Sequence, residues 1–182
     1  RGKIGCDNFL TKEFFDVVSP SATSFCLKNT GASPFGKNSN GETALHLAAR
    51  SKNNEFAVNH IKTIVAFIEN SSESVQKALD MVNIDGETPL YYASKFSNNM
   101  DVITLLSYLG SKIDFTNNRG RTSLHEAAKR TDRFASKVVA RLLAAGAAKK
   151  KFFSSNELKD NNGTTPLHLA AVHDRFGTAS QL

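Results

Sequence analysis

A chain of 182 residues is long enough for one domain with a continuous core, and 40% hydrophobic with 22% charged residues is an ordinary globular composition. No apolar run approaches the roughly 18–20 residues that a membrane-spanning helix needs. The net charge of +6 is unevenly spread: residues 119–151 hold ten basic residues against only Glu126 and Asp132, whereas residues 52–110 hold four basic and seven acidic ones. The positive field is therefore expected on one part of the fold. No signal peptide is visible, and a start at Arg1 rather than methionine leaves room for a removed leader or upstream region.

Taken in order, Thr11–Val18 has the apolar spacing of a short helix, with Phe14 and Phe15 placed to close one end of a core. Ser19-Pro20 starts a second helix running to about Lys28, with Phe25 and Leu27 expected inward. Gly31, in Asn29–Pro34, suits the left-handed position that ends a helix. A phrase then appears that the chain repeats: Gly41-Glu-Thr-Ala-Leu-His-Leu-Ala-Ala49, and again from Gly86, Gly120 and Gly163, at intervals of 45, 34 and 43 residues. A period of this size marks a stacked-repeat architecture. The glycine supplies the positive φ of a tight turn, the threonine two residues on caps a helix, and Pro89 and Pro166 fit its first position. Leu45, Leu90, Leu124 and Leu167 are expected to point into the core, and the alanine pairs let neighbouring helices approach.

Each phrase is followed by a second apolar segment. The first spans about Phe56–Glu69, with Val58, Ile61, Ile64, Val65 and Ile68 on one face. The excess length of that repeat sits in Asn70–Asp80, where an extra helical turn or two is expected with its acidic residues solvated. Val102–Leu109 gives the next second helix, ended by Gly110. About Phe134–Ala144 gives the third, ended at Ala145-Gly146 and followed by the basic, aromatic insert Lys149–Ser155. Only eleven residues follow Ala171, too few for a second helix and cap, so the stack is expected to be unfinished at Leu182.

The recurring Thr-Pro-Leu-His-x-Ala core resembles the ankyrin repeat, and the likeness covers about residues 9–176. It implies an all-α solenoid of stacked helix-turn-helix units with projecting β-hairpin loops. One domain is expected, with a capping repeat at 1–36, repeats at 37–81, 82–115 and 116–158, and a partial repeat at 159–182. In the family the imidazole of the phrase hydrogen-bonds within the turn and to the next repeat, which implies that role for His46, His125 and His168. His60 and His173 are expected to be exposed. The divergent cap and inserted repeats resemble bacterial ankyrin proteins, some of them exported. Some of those carry a cysteine ahead of a Phe-Phe helix and another in the following helix. Cys6 and Cys26 are thus either two buried thiols of a reducing compartment or a disulfide worth about 3 kcal/mol, which implies export.

No catalytic set emerges. There is no phosphate loop, no His-Glu-x-x-His and no Cys-x-x-Cys, and the histidines of successive phrases are a repeat apart, too far to share a metal. No cofactor or metal is expected, and non-catalytic binding of a partner protein is the expected function. The alternative is a recruitment module for a larger bacterial effector or enzyme whose activity lies outside this chain. By the resemblance, the concave face comprises Glu42, Arg50, Glu87, Lys95, Phe96, Arg119, Arg121, Lys129 and Arg130. Beside them stand Ser39, Asn40, Ser51, Ile84, Asp85, Asn118, Asn161, Asn162, Thr164, Val172 and His173. Phe96 is an aromatic the fold does not require. Arg119, Arg121, Lys129 and Arg130 form a cationic patch: a solvated face, or the seat of an acidic partner surface. Lys149–Lys151 could graze an anionic membrane. No base-reading platform is recognisable, so nucleic acid is not expected. Self-association through the C-terminal end is a further possibility.

Overall fold

The computed structural model describes residues 9–51, 54–148, 158–172 and 182. Among them the chain forms ten helices: α1 Lys12–Val17, α2 Pro20–Asn29, α3 Ala44–Arg50, α4 Asn54–Asn70, α5 Val75–Leu79, α6 Pro89–Phe96, α7 Met100–Tyr108, α8 Ser123–Lys129, α9 Ala135–Ala148 and α10 Pro166–Val172. Short helices α1, α3, α6, α8 and α10 stack as an inner row, and α2, α4, α7 and α9 as an outer row, with contacts both along each row and between the rows. The four repeated phrases begin α3, α6, α8 and α10 and stand side by side. Stability in such an array comes from contact between neighbouring units.

The phrase works as its chemistry implies. Thr43, Thr88 and Thr122 are N-caps in extended conformation, and Pro89 takes the first position of α6. In α3 and α8 the histidine completes a reciprocal box: the threonine side chain accepts from the histidine's N–H, and the threonine N–H donates to the imidazole Nδ1 at 3.1 Å. Gly86 has φ 76°, and a Cβ there would lie 2.8 Å from the Asn118 backbone nitrogen, so the loop admits only glycine.

The core runs the length of the stack. Phe9, Phe14 and Phe15 close its N-terminal end with ring centroids 5.3–5.8 Å apart, and Leu45, Ile61, Ile64, Ile68, Leu90, Ile103, Leu106 and Leu142 fill it. The insert after α4 folds as α5, with Leu79 buried and Glu73 and Asp80 at the surface paired to Lys77 and Lys112.

Several expectations are corrected. Phe25 is 57% exposed, because α2 buries Thr23, Cys26 and Leu27, and Phe25 falls on the other side of the helix. His60 is fully buried: α4 turns it toward α2, where the Thr23 hydroxyl lies 2.8 Å from Nδ1 and Phe15 packs at 5.2 Å. Burial pushes its imidazole down to about 4. Leu167 is 39% exposed on α10. α9 continues through Gly146 to Ala148, since a glycine weakens a helix by only about 1 kcal/mol. The projecting loops are turns rather than β-hairpins: no strand occurs among the described residues. Successive loops are joined by the backbone bonds Ile84 N–H to Asn40 O, Asn118 N–H to Asp85 O and Asn161 N–H to Arg119 O.

Candidate functional site

The inner face is built on a slot that recurs three residues before each glycine: Asn38, Asn83, Asn117 and Asp160. In each, the side-chain Oδ1 accepts the N–H groups two and four residues on, at 2.8–3.0 Å. The slot residue's own N–H closes back on the carbonyl four residues later. This local cage holds the turn rigid and aims the residue after the glycine. That residue is Glu42, Glu87, Arg121 or Thr164.

In the first two repeats it is an acid turned inward. Glu42 is 3% exposed and accepts from Asn38 Nδ2 at 2.8 Å, from the Tyr92 hydroxyl at 2.9 Å and from Arg50 at 2.9 Å. Burial alone would raise its carboxyl, but Asn38, Tyr92 and the Arg50 charge outweigh that and hold it below its ordinary value. Glu87 repeats the motif one layer on, accepting from Asn83 Nδ2 and from Lys95 at 3.1 Å. Tyr92 and Tyr91 tie layers together. Asn83 Nδ2 donates to the Tyr92 oxygen at 2.9 Å, and the Tyr91 hydroxyl donates to Glu126 at 3.0 Å. Burial, then the neighbouring carboxylates, push both phenols up, so they stay protonated donors.

In the first and third repeats the imidazole of the phrase links layers. His46 Nδ1 accepts from Thr43, so Nε2–H donates to the Glu87 carbonyl at 2.9 Å; His125 does the same to Thr164 at 3.1 Å. Burial lowers both imidazoles, His46 to about 4. Among the described residues no group of three or more His, Cys, Asp or Glu side chains is placed to hold a metal.

In the third repeat the charge of the residue after the glycine is reversed. Arg121 donates from Nε to Asp160 of the next loop at 2.8 Å. Burial would raise Asp160, but Arg121 and the amides of Thr164 and Asn162 bring it down to about 2. A notch of about 110 Å³ lies beside it between the second and third repeats, edged by Lys95, Arg119, Arg121 and Lys129 and by Asp85, Glu87 and Glu126.

The expected site residues therefore divide. Phe96, 39% exposed, stands on the inner face with the Arg50 guanidinium 4.8 Å and the Lys95 ammonium 5.2 Å from its centroid. Arg119 and Lys129 are exposed, and neither makes an ion pair among the described residues. Glu42 and Glu87 are structural, buried beneath the surface they were expected to form. Arg130 leaves the cationic patch altogether. It is 7% exposed, and its guanidinium grips the Ser94 and Ser97 carbonyls at the end of α6, at 3.1 and 2.7 Å, together with Asp132. Cys26 is buried and disulfide-bonded. Cys6, His173 and Lys149–Lys151 lie outside the described residues; among the described ones no helix is long and apolar enough to cross a membrane. The Asn/Asp slot and the tyrosine bridges were not anticipated from sequence, although the strict three-residue spacing to each glycine was there to be read.

The family model for ankyrin repeats matches three times, over residues 19–117, 56–152 and 96–182. The human SH3 and multiple ankyrin repeat domains protein 2 is 37% identical over 87 residues, 48% of this chain and 4% of that protein. The phosphocholine transferase AnkX of Legionella pneumophila is 30% identical over 116 residues, 63% of this chain and 11% of that protein. The chain thus spans a small part of the length of either relative. With repeats matched over nearly its whole length and stacked as the phrases require, the chain belongs to the ankyrin-repeat family.

Proposed function

We propose that this chain is a non-catalytic protein-binding module whose inner face grips a partner. The observation that carries this reading is Phe96, an aromatic ring 39% exposed and held between Arg50 and Lys95. Both cations are fixed from beneath by buried carboxylates, so the group loses little freedom on binding. Arg50, Lys95, Phe96, Arg119, Arg121 and Lys129 form the contact surface, and Arg119 and Lys129, which make no ion pair among the described residues, favour an acidic patch on the partner. A photo-crosslinking residue at Phe96 should trap a defined partner from cell extract, while the same residue at Tyr108, 87% exposed on the outer row, should not. Equal trapping from both positions, or trapping from Tyr108 alone, would count against the inner face.

A second reading has a specific support: both relatives are many times longer than the matched stretch, and one is named as a phosphocholine transferase. In that reading the repeats recruit a target for an activity carried elsewhere in a longer protein. The disulfide at Cys26, with Cys6 as the chain's other cysteine, supports maturation in an oxidising compartment.

A further inference from the structure

The first and second repeats each satisfy an inner-face cation with an acid eight residues earlier: Glu42 with Arg50 at 2.9 Å, and Glu87 with Lys95 at 3.1 Å. The third repeat has Arg121 and Lys129 at those two positions. Arg121 finds its counter-charge in Asp160. Lys129 is left exposed on the rim of the notch, across from the exposed Arg119, with no ion pair among the described residues. The acid that completes the pattern in the first two repeats is absent from this one.

We infer that the partner supplies it: the notch between the second and third repeats receives one carboxylate side chain, an aspartate or glutamate on the partner's surface. This rests on the protein-binding reading and names what that surface reads. Size supports it. About 110 Å³ is room for the end of an acidic side chain and well short of the roughly 300 Å³ at which small-molecule sites begin. Donors support it as well. Arg119 and Lys129 bring two cationic heads, and among the described residues Arg121 commits its Nε alone. The acceptors are more fully occupied: Glu87 takes Asn83 and Lys95, and Glu126 takes Tyr91. Asp85, exposed at the notch, carries like charge and limits the entrant to a single carboxylate.

The test uses capped Gly-Glu-Gly and its neutral counterpart Gly-Gln-Gly as probes, titrated into the isotope-labelled chain and followed at the arginine Nε–H and Asn117 side-chain amide signals. The glutamate peptide should bind at least about fivefold more tightly, with shifts gathered around the notch and weakened by salt. Lys129→Gln should remove that preference. Arg121→Glu with Asp160→Asn should remove it too, because this pair of changes gives the third repeat the acid–cation arrangement of the first two. No preference for glutamate over glutamine at any concentration, or a preference that survives Lys129→Gln, would overturn the assignment. Crosslinking from Phe96 that persists in that case would leave the binding face standing and remove only the carboxylate notch.

Discussion

The first two inner loops and the third share one backbone and differ in the sign of a single position. At Glu42 and Glu87 the acid is drawn beneath the surface, and the ion pair closes within its own repeat, onto Arg50 and Lys95. At Arg121 the pair closes across the junction, onto Asp160 of the following loop. The cage made by Asn83 or Asn117 is the same in both cases, so the turn does not choose the charge. A repeat scaffold can therefore exchange intra-repeat for inter-repeat pairing without altering its fold, and the exchange releases a cation, Lys129, to the inner face.

The largest expected effect falls on the inter-repeat pair. Asp160→Ala strips Arg121 of its partner and the turn of its Oδ1 acceptor, and should cost about 2 kcal/mol in urea unfolding, as the loss of charge-assisted hydrogen bonds in a part-buried pair does. A loss under about 1 kcal/mol would show that the junction does not depend on it. Its lowered pKa also has a sign: the contribution is complete above the unfolded value of 3.8 and is lost as pH falls through about 2.

A middle-sized effect separates the histidine layers from the tyrosine layer. His46→Gln keeps an N3 side chain able to complete the capping box but loses the bond to the Glu87 carbonyl, costing about 1 kcal/mol at pH 7. The folded imidazole sits at about 4 against 6.5 unfolded, so the unfolded chain binds the extra proton between those values. Stability held above pH 6.5 should drain away toward pH 4 in the wild type, and that slope should become shallower in the variant, with His60 and His125 keeping their shares. An unchanged slope would mean that His46 contributes nothing to it. The smallest effect is expected on the inner surface: Arg119→Ser should change stability by less than about 0.5 kcal/mol, because this exposed cation makes no ion pair among the described residues. A larger loss would place Arg119 with the structural pairs of the first two repeats.

Much of this was legible beforehand where the physics is local. A glycine's freedom at positive φ, a threonine's capping oxygen and a proline's missing N–H act within a few residues, so four helix starts could be read directly from the phrases. Faces of helices were harder. Phe25 and His60 exchange the places expected of them because α2 and α4 bury what they press against each other, a pairing between residues 37 apart in the case of Thr23 and His60.

By itself, then, the amino-acid order determined the repeat, its register and the stacked helical class, since these follow from periodicity and end-capping. Only the tertiary structure decided which polar groups are surface and which are mortar. Glu42 is claimed by a tyrosine fifty residues away, and Arg130 by carbonyls more than thirty residues back. Such partners become neighbours only when one layer settles on the next, and a charged side chain's fate is set by the partner that desolvation obliges it to find.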